Sequence, residues 1–128
     1  MKTTKYSRQR EAIISFLKTR KDHPTAEVIY NNLRITYPNI SLGTVYRNLN
    51  LLSENGTILK ISLEDDSAHF DGFTHQHLHF FCNKCRSLKD IEPKEEDMKN
   101  FMEIASKYFD GDIESQVSVF YGTCGECK

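Results

Sequence analysis

The sequence predicts an α+β chain, an N-terminal winged helix-turn-helix followed by a small α/β lobe. Three observations lead there. Three short stretches with helical apolar spacing come first, and a pair of strand-like segments follows them. Strand and helix signals then alternate through the second half. Two Cys-x2-Cys pairs, Cys82/Cys85 and Cys124/Cys127, bracket most of that half.

The first helix is expected over residues 7–21, with Ser7 as its N-cap. Ile13, Phe16 and Leu17 share one face, and Lys18, Arg20 and Lys21 complement the C-terminal dipole. Thr25, following Pro24, caps a second helix that Pro38 stops shortly after Tyr37. Ser41 caps a third, "SLGTVYRNLNLLSENG", with Val45, Leu49 and Leu52 as its buried stripe and Gly56 as its stop. "TILKISL" has the length and branching of a strand, "EDDSA" makes a turn, and "HFDGF" returns as the partner. These are the parts of a winged helix, assigned to residues 1–73, and residues 74–128 form the second domain.

In that second domain "HLHFFC", "SLKDIE" and "ESQVSVFYG" read as strands. "PKEEDMKNFMEIASKYF" reads as a helix with Pro93 just ahead of it. Met98, Phe101, Met102, Ala105 and Phe109 are expected to face inward.

Composition narrows the function. A lobe of about 60 residues buries little surface, so a structural metal would help to hold it. A hydrophobic fraction of 38% and a charged fraction of 27% suit a globular protein. No apolar run approaches the ~20 residues of a membrane span, and "MKTTKYSRQR" lacks a signal-peptide core. A cytoplasmic protein with no membrane partner is therefore expected, and in that compartment paired cysteines are metal ligands more often than disulfides. Charge is divided unevenly. Residues 1–61 carry ten Lys/Arg against four Asp/Glu, and residues 62–128 carry seven against fourteen. A basic first half suits an anionic partner such as nucleic acid.

The third helix has the face to meet that partner. Opposite the Val45/Leu49/Leu52 stripe stand Tyr46, Arg47 and Asn50, beside the small Gly43. Arginine pairs with guanine, asparagine with adenine, and tyrosine contacts phosphate or a thymine methyl. A solvated helix face would carry Arg47 and Asn50 equally well. The exposed tyrosine, the helix-turn-helix order and the basic charge favour double-stranded DNA.

The cysteines have the spacing of one tetrahedral zinc site, since each x2 turn directs two sulfurs at one ion. The 38 residues between the pairs accommodate the intervening strands and helix. A redox use fits less well, because neither pair opens a helix in a βαβ unit. In "HQHLHFFC", alternation places His75, His77 and His79 on one strand face and Cys82 on the other. With Asp71 and Asp90 as nearby oxygen donors, a second, sulfur-free site would suit Fe(II), Mn(II) or Zn(II). A metal-dependent hydrolase is the rival use of such a cluster. It lacks an obvious general base and leaves the basic helical half unexplained, so no enzyme activity is expected.

Taken together, "RQR", "HPTAEVIY", "SLGTVYRNL", "HFD", "HLHFFCNKC", "LKDIE" and "YGTCGEC" resemble the ferric uptake regulator family of bacterial metal-dependent repressors. The resemblance spans nearly the whole chain. It implies a winged helix joined to an α/β dimerisation domain, a four-cysteine zinc, and a regulatory Fe(II) or Mn(II). It further implies a homodimer on a palindromic operator. The regulatory ligands carried over are His23, Asp71, His77, His79 and Asp90, and only the resemblance supplies His23. The DNA-contact candidates are Arg10, Thr44, Tyr46, Arg47 and Asn50.

Within the family, the aspartates at 71 and 90 resemble the peroxide-responsive branch, whereas iron regulators typically carry glutamate there. Leu78 and Thr123 replace the acidic residue and the histidine of a further site common in iron and zinc regulators. The resemblance thus implies a repressor that senses peroxide by oxidation of a ligand histidine, His23 or His77. An iron- or zinc-responsive repressor is the alternative. The stretch "DGFTHQH" is atypical, and it leaves His69 and His75 beside the site as extra ligands or as supporting or solvated neighbours.

Overall fold

A computed structural model describes residues 4–75 and 77–128. Met1–Thr3, part of the basic N-terminal segment, and Gln76 lie outside the described residues. The chain forms two compact units, Met1–Thr74 and His75–Lys128.

The first unit holds α1 (Lys5–Lys18), α2 (Ala26–Thr36), α3 (Leu42–Glu54), β1 (Leu59–Ser62) and β2 (Ala68–Asp71). The first helix starts earlier than expected. Thr4, not Ser7, is its N-cap, and the Thr4 hydroxyl accepts from the Ser7 backbone N–H at 3.0 Å. Ser7 lies inside the first turn, because the threonine three residues upstream already supplies the acceptor that the free N–H groups need. Thr25 and Ser41 cap α2 and α3 in the same way, accepting from Val28 and Thr44. Gly56 follows α3 with φ of 79°, a conformation that costs glycine nothing.

Ile13 and Leu17 of α1, Ile29 and Leu33 of α2, and Val45, Leu49 and Leu52 of α3 meet in one core. Ile58, before β1, and Phe70 of β2 close it. β1 and β2 pair antiparallel with Leu59 opposite Asp71 and Ser62 opposite Ala68, forming the wing. Asp66 takes φ of 66° in its turn.

The second unit holds β3 (Leu78–Cys82), β4 (Leu88–Ile91), α4 (Glu95–Lys107) and β5 (Val119–Gly122). Its sheet runs β4-β3-β5, with β4 antiparallel and β5 parallel to β3. Leu78, Phe81, Leu88 and Met98 are buried, and Phe81 packs edge-on against Tyr121. The inward face predicted for α4 needs correction. Met98 is the one fully buried residue of that helix among those described. Phe101 and Phe109 are exposed, as is Ala105, and Met102 is half-buried. Amphipathic spacing shows that a helix has an apolar face but does not show which atoms cover it, and a sheet of three short strands does not reach this one.

Candidate metal centres and nucleic-acid face

The cysteine site follows from strand pairing. Because β5 lies parallel to β3 with Gly122 opposite Cys82, the turns that follow the two strands leave from the same end of the sheet. One turn carries Cys82 and Cys85, the other Cys124 and Cys127. All four sulfurs fall within 4.8 Å of one another, with Cys85 and Cys124 Sγ 3.8 Å apart. Each turn closes on itself, Arg86 N–H on Cys82 O at 2.9 Å and Cys127 N–H on Cys124 O at 3.1 Å.

The backbone also prepares the sulfurs for a cation. The N–H groups of Cys85 and Cys124 both donate to Cys82 Sγ at 3.4 Å. These donors pull the Cys82 thiol down to about 6 against the desolvation that opposes them. The Ser87 hydroxyl and N–H lower Cys85, whereas hydrogen bonding to Cys124 and Cys85 pushes Cys127 up to about 12. Four converging sulfurs, one of them drawn toward thiolate by N–H donors, fit tetrahedral zinc.

Each unit pairs buried histidine with an aspartate. In the first unit His23 and Asp71 are both buried, with His23 Nε2 3.2 Å from Asp71 Oδ2. Asp71 ends β2, and its other oxygen accepts from Phe73 N–H at 2.9 Å. His23 sits between α1 and α2 with φ of 54°. Pro24 disfavours the right-handed helical region for the residue before it.

In the second unit His77 and His79 are buried, and their Nε2 atoms approach Asp90 Oδ1 at 3.2 and 3.6 Å. The register of β3 and β4 accounts for this, since His79 stands directly opposite Asp90. His77 lies one residue ahead of the strand. Its Nδ1–H donates to the carbonyl of His75 at 2.7 Å, which leaves the Nε2 lone pair for a cation. Buried imidazole and carboxylate without sulfur fit Fe(II), Mn(II) or Zn(II).

The two remaining histidines serve differently. The His75 side chain is more than half exposed and meets Glu92 at 2.9 Å, not Asp90. His69 points its Nδ1 at the backbone carbonyl of His23, 2.7 Å away.

On α3, Arg47 and Asn50 are exposed and Tyr46 is 38% exposed, opposite the fully buried Val45 and Leu49. Tyr46 donates its hydroxyl hydrogen to Glu27 at 2.9 Å, which raises the phenol, and the Glu27 carboxyl is lowered first by a backbone N–H and then by this bond. Arg47 donates to the Thr44 hydroxyl at 2.9 Å. Arg10, on α1, is half-buried and reaches toward Ser7 at 3.5 Å. Buried Asn48, on the core side of α3, was not part of the expected stripe.

Comparison with known proteins bears on both kinds of site. The family model described as the Ferric uptake regulator family matches residues 1–110. A peroxide-responsive repressor, PerR, of Staphylococcus epidermidis is 36% identical over 121 residues, covering 94% of this chain and 79% of that protein. The Staphylococcus aureus repressor of the same name is 33% identical over 120 residues, covering 94% and 80%. The crystal structure of a Campylobacter jejuni peroxide stress regulator superposes with a TM-score of 0.84 at 30% identity, covering 96% of this chain and 91% of that one. The Helicobacter pylori ferric uptake regulator, described as having three functional metal binding sites, gives 0.77 at 25% identity over 94% and 80%. By the extent of the family match and the coverage of these relatives, the chain belongs to the ferric uptake regulator family.

Proposed function

We propose that this chain is a homodimeric, metal-dependent repressor of transcription that senses peroxide. The observation that carries the reading is the pairing of buried histidine with aspartate, His23 with Asp71 and His77 and His79 with Asp90. These five residues hold one regulatory ion, Fe(II) or Mn(II), and the four cysteines hold a separate structural zinc. His23 and Asp71 come from the helical unit that carries α3, while His77, His79 and Asp90 come from the sheet unit. An ion that binds all five favours the DNA-competent arrangement through its differential affinity for that state.

Iron, when bound, supplies one-electron reduction of peroxide. His23 and His77 are the ligand histidines to which the family resemblance points, and oxidant formed beside a ligand would react before it diffuses away. In the overall change one peroxide oxygen enters a ring carbon–hydrogen bond and the other leaves as water. An oxidised ring is a poorer ligand, so the ion and the operator are both released. Aspartate at 71 and 90 supports this branch, as do the peroxide-responsive relatives from staphylococci and Campylobacter.

The test is operator binding by Fe(II)- and Mn(II)-loaded protein before and after low peroxide, with peptide masses measured alongside. The iron form is expected to lose DNA binding and to gain one oxygen atom on a peptide containing His23 or His77. The manganese form is expected to do neither. Full operator affinity of the iron form under peroxide, with neither peptide altered, would replace this reading with an iron- or zinc-responsive repressor.

A further inference from the structure

His23 is a demanding residue to place. Its φ of 54° puts a non-glycine side chain in the left-handed region, a strained conformation that persists only where neighbours hold it. The neighbours that do so come from one strand. On β2, His69 and Asp71 are two residues apart and so share a face. Asp71 meets the His23 ring at Nε2, 3.2 Å away, and His69 meets the His23 backbone carbonyl through Nδ1 at 2.7 Å. A carbonyl oxygen only accepts, so His69 Nδ1 carries the hydrogen.

The backbone also lays this segment along the strand. Phe70 N–H donates to Pro24 O at 3.0 Å as part of the antiparallel bridge between Thr25 and His69. On its far side the His69 ring faces the turn of the wing, with Nε2 3.3 Å from the Ser67 hydroxyl oxygen. The chain of contacts runs from the wing turn through the imidazole to the backbone of a regulatory ligand.

We propose that His69 is a positioning residue for the regulatory metal site, not a ligand of it: its Nδ1–H holds the His23 carbonyl and thereby aims the His23 ring. The proposal rests on His23 being a ligand, as argued above. Its role is mechanical. Without the donor, residues 23–25 lose one of the hydrogen bonds that dock them on β2. The His23 ring must then be ordered when the ion binds, at the cost of affinity.

The test compares His69→Leu, His69→Asn and His69→Gln in the full-length, zinc-containing protein. Asparagine places an N–H donor close to where Nδ1 stands. Glutamine places one near Nε2, and leucine has none. Mn(II) titration should show His69→Leu and His69→Gln binding at least about tenfold more weakly, equivalent to about 1.4 kcal/mol. His69→Asn should stay within about threefold of the unsubstituted chain. Exchange of the Phe70 amide in protein free of Mn(II) should be faster for leucine than for asparagine, while zinc content is equal in all three.

Unchanged Mn(II) affinity in His69→Leu would overturn the proposal, and so would an asparagine variant as weak as the leucine one. A loss of zinc in step with Mn(II) affinity would also overturn it, by showing general unfolding in place of positioning. His23→Ala is the control for the underlying reading. If that variant keeps full Mn(II) affinity, His23 is not a ligand and the fault lies with the site assignment.

Discussion

At the scale of single residues, the two metal sites differ in how visible they are in the chain. Cys82/Cys85 and Cys124/Cys127 announce themselves by spacing, because a two-residue gap is what one tetrahedral ion requires. His77, His79 and Asp90 are legible from alternation and nearness. His23 is not, since 47 residues separate it from Asp71 and its left-handed conformation is held by contacts with β2. His69 is equally hidden, because its partner is a backbone carbonyl that leaves no mark in the sequence.

Two predictions belong to this scale. The Cys82 thiol is depressed to about 6 by the N–H groups of Cys85 and Cys124. A group lowered on folding stabilises the folded chain above its unfolded value, near 8.5 for a thiol, and loses that contribution as pH falls through the folded value. Zinc-free protein should therefore show a thiolate absorbance step near pH 6 that Cys82→Ser removes; titration of every thiol above pH 8 would contradict it. Arg47→Ala should weaken operator binding by about 1–3 kcal/mol with relaxed preference at one base pair if Arg47 reads guanine. A uniform loss with a shallower salt slope would instead assign it to phosphate, and unchanged binding would remove this face of α3 from the DNA.

At the scale of elements, caps and stops made most of the fold readable. Thr25, Ser41 and Gly56 bound α2 and α3 where helix-terminus chemistry places them. The start of α1 was misplaced because Thr4 and Ser7 are both good caps, and which one serves depends on the local hydrogen bonds. A close approach between elements is harder to foresee. Gly72, just past β2, is such a point, since a Cβ there would lie 3.0 Å from the Leu17 carbonyl carbon in α1. Backbone cannot yield as a flexible side chain does. Gly72→Ala should therefore destabilise the helical unit by about 1–3 kcal/mol, seen as a lower urea midpoint with an unchanged slope. An unchanged midpoint would mean that α1 is free to shift.

At the scale of the whole molecule, α4 is the informative departure from expectation. Phe101, Ile104 and Tyr108 recur at helical spacing and are 43%, 53% and 86% exposed. An apolar row of this kind left open by its own unit suits burial against a second copy. Ile104→Glu should shift the protein from dimer to monomer in sedimentation at micromolar concentration while leaving one zinc per chain; a variant that remains fully dimeric would place the interface elsewhere. No helix among the described residues is long and apolar enough to cross a membrane.

The proposed division of labour between two chemically distinct metal sites gives the cysteines the fold and the histidine–aspartate set the control of DNA binding. Metal content and operator affinity of His77→Ala, with and without Mn(II), test it most directly. The unsubstituted chain should carry one zinc and one Mn(II) and bind operator at least about tenfold more tightly with Mn(II), a coupling of about 1.4 kcal/mol. His77→Ala should keep its zinc, lose the Mn(II), and bind operator equally weakly in both conditions. Zinc released by that single substitution, or Mn(II)-dependent binding that survives it intact, would contradict the division into two sites.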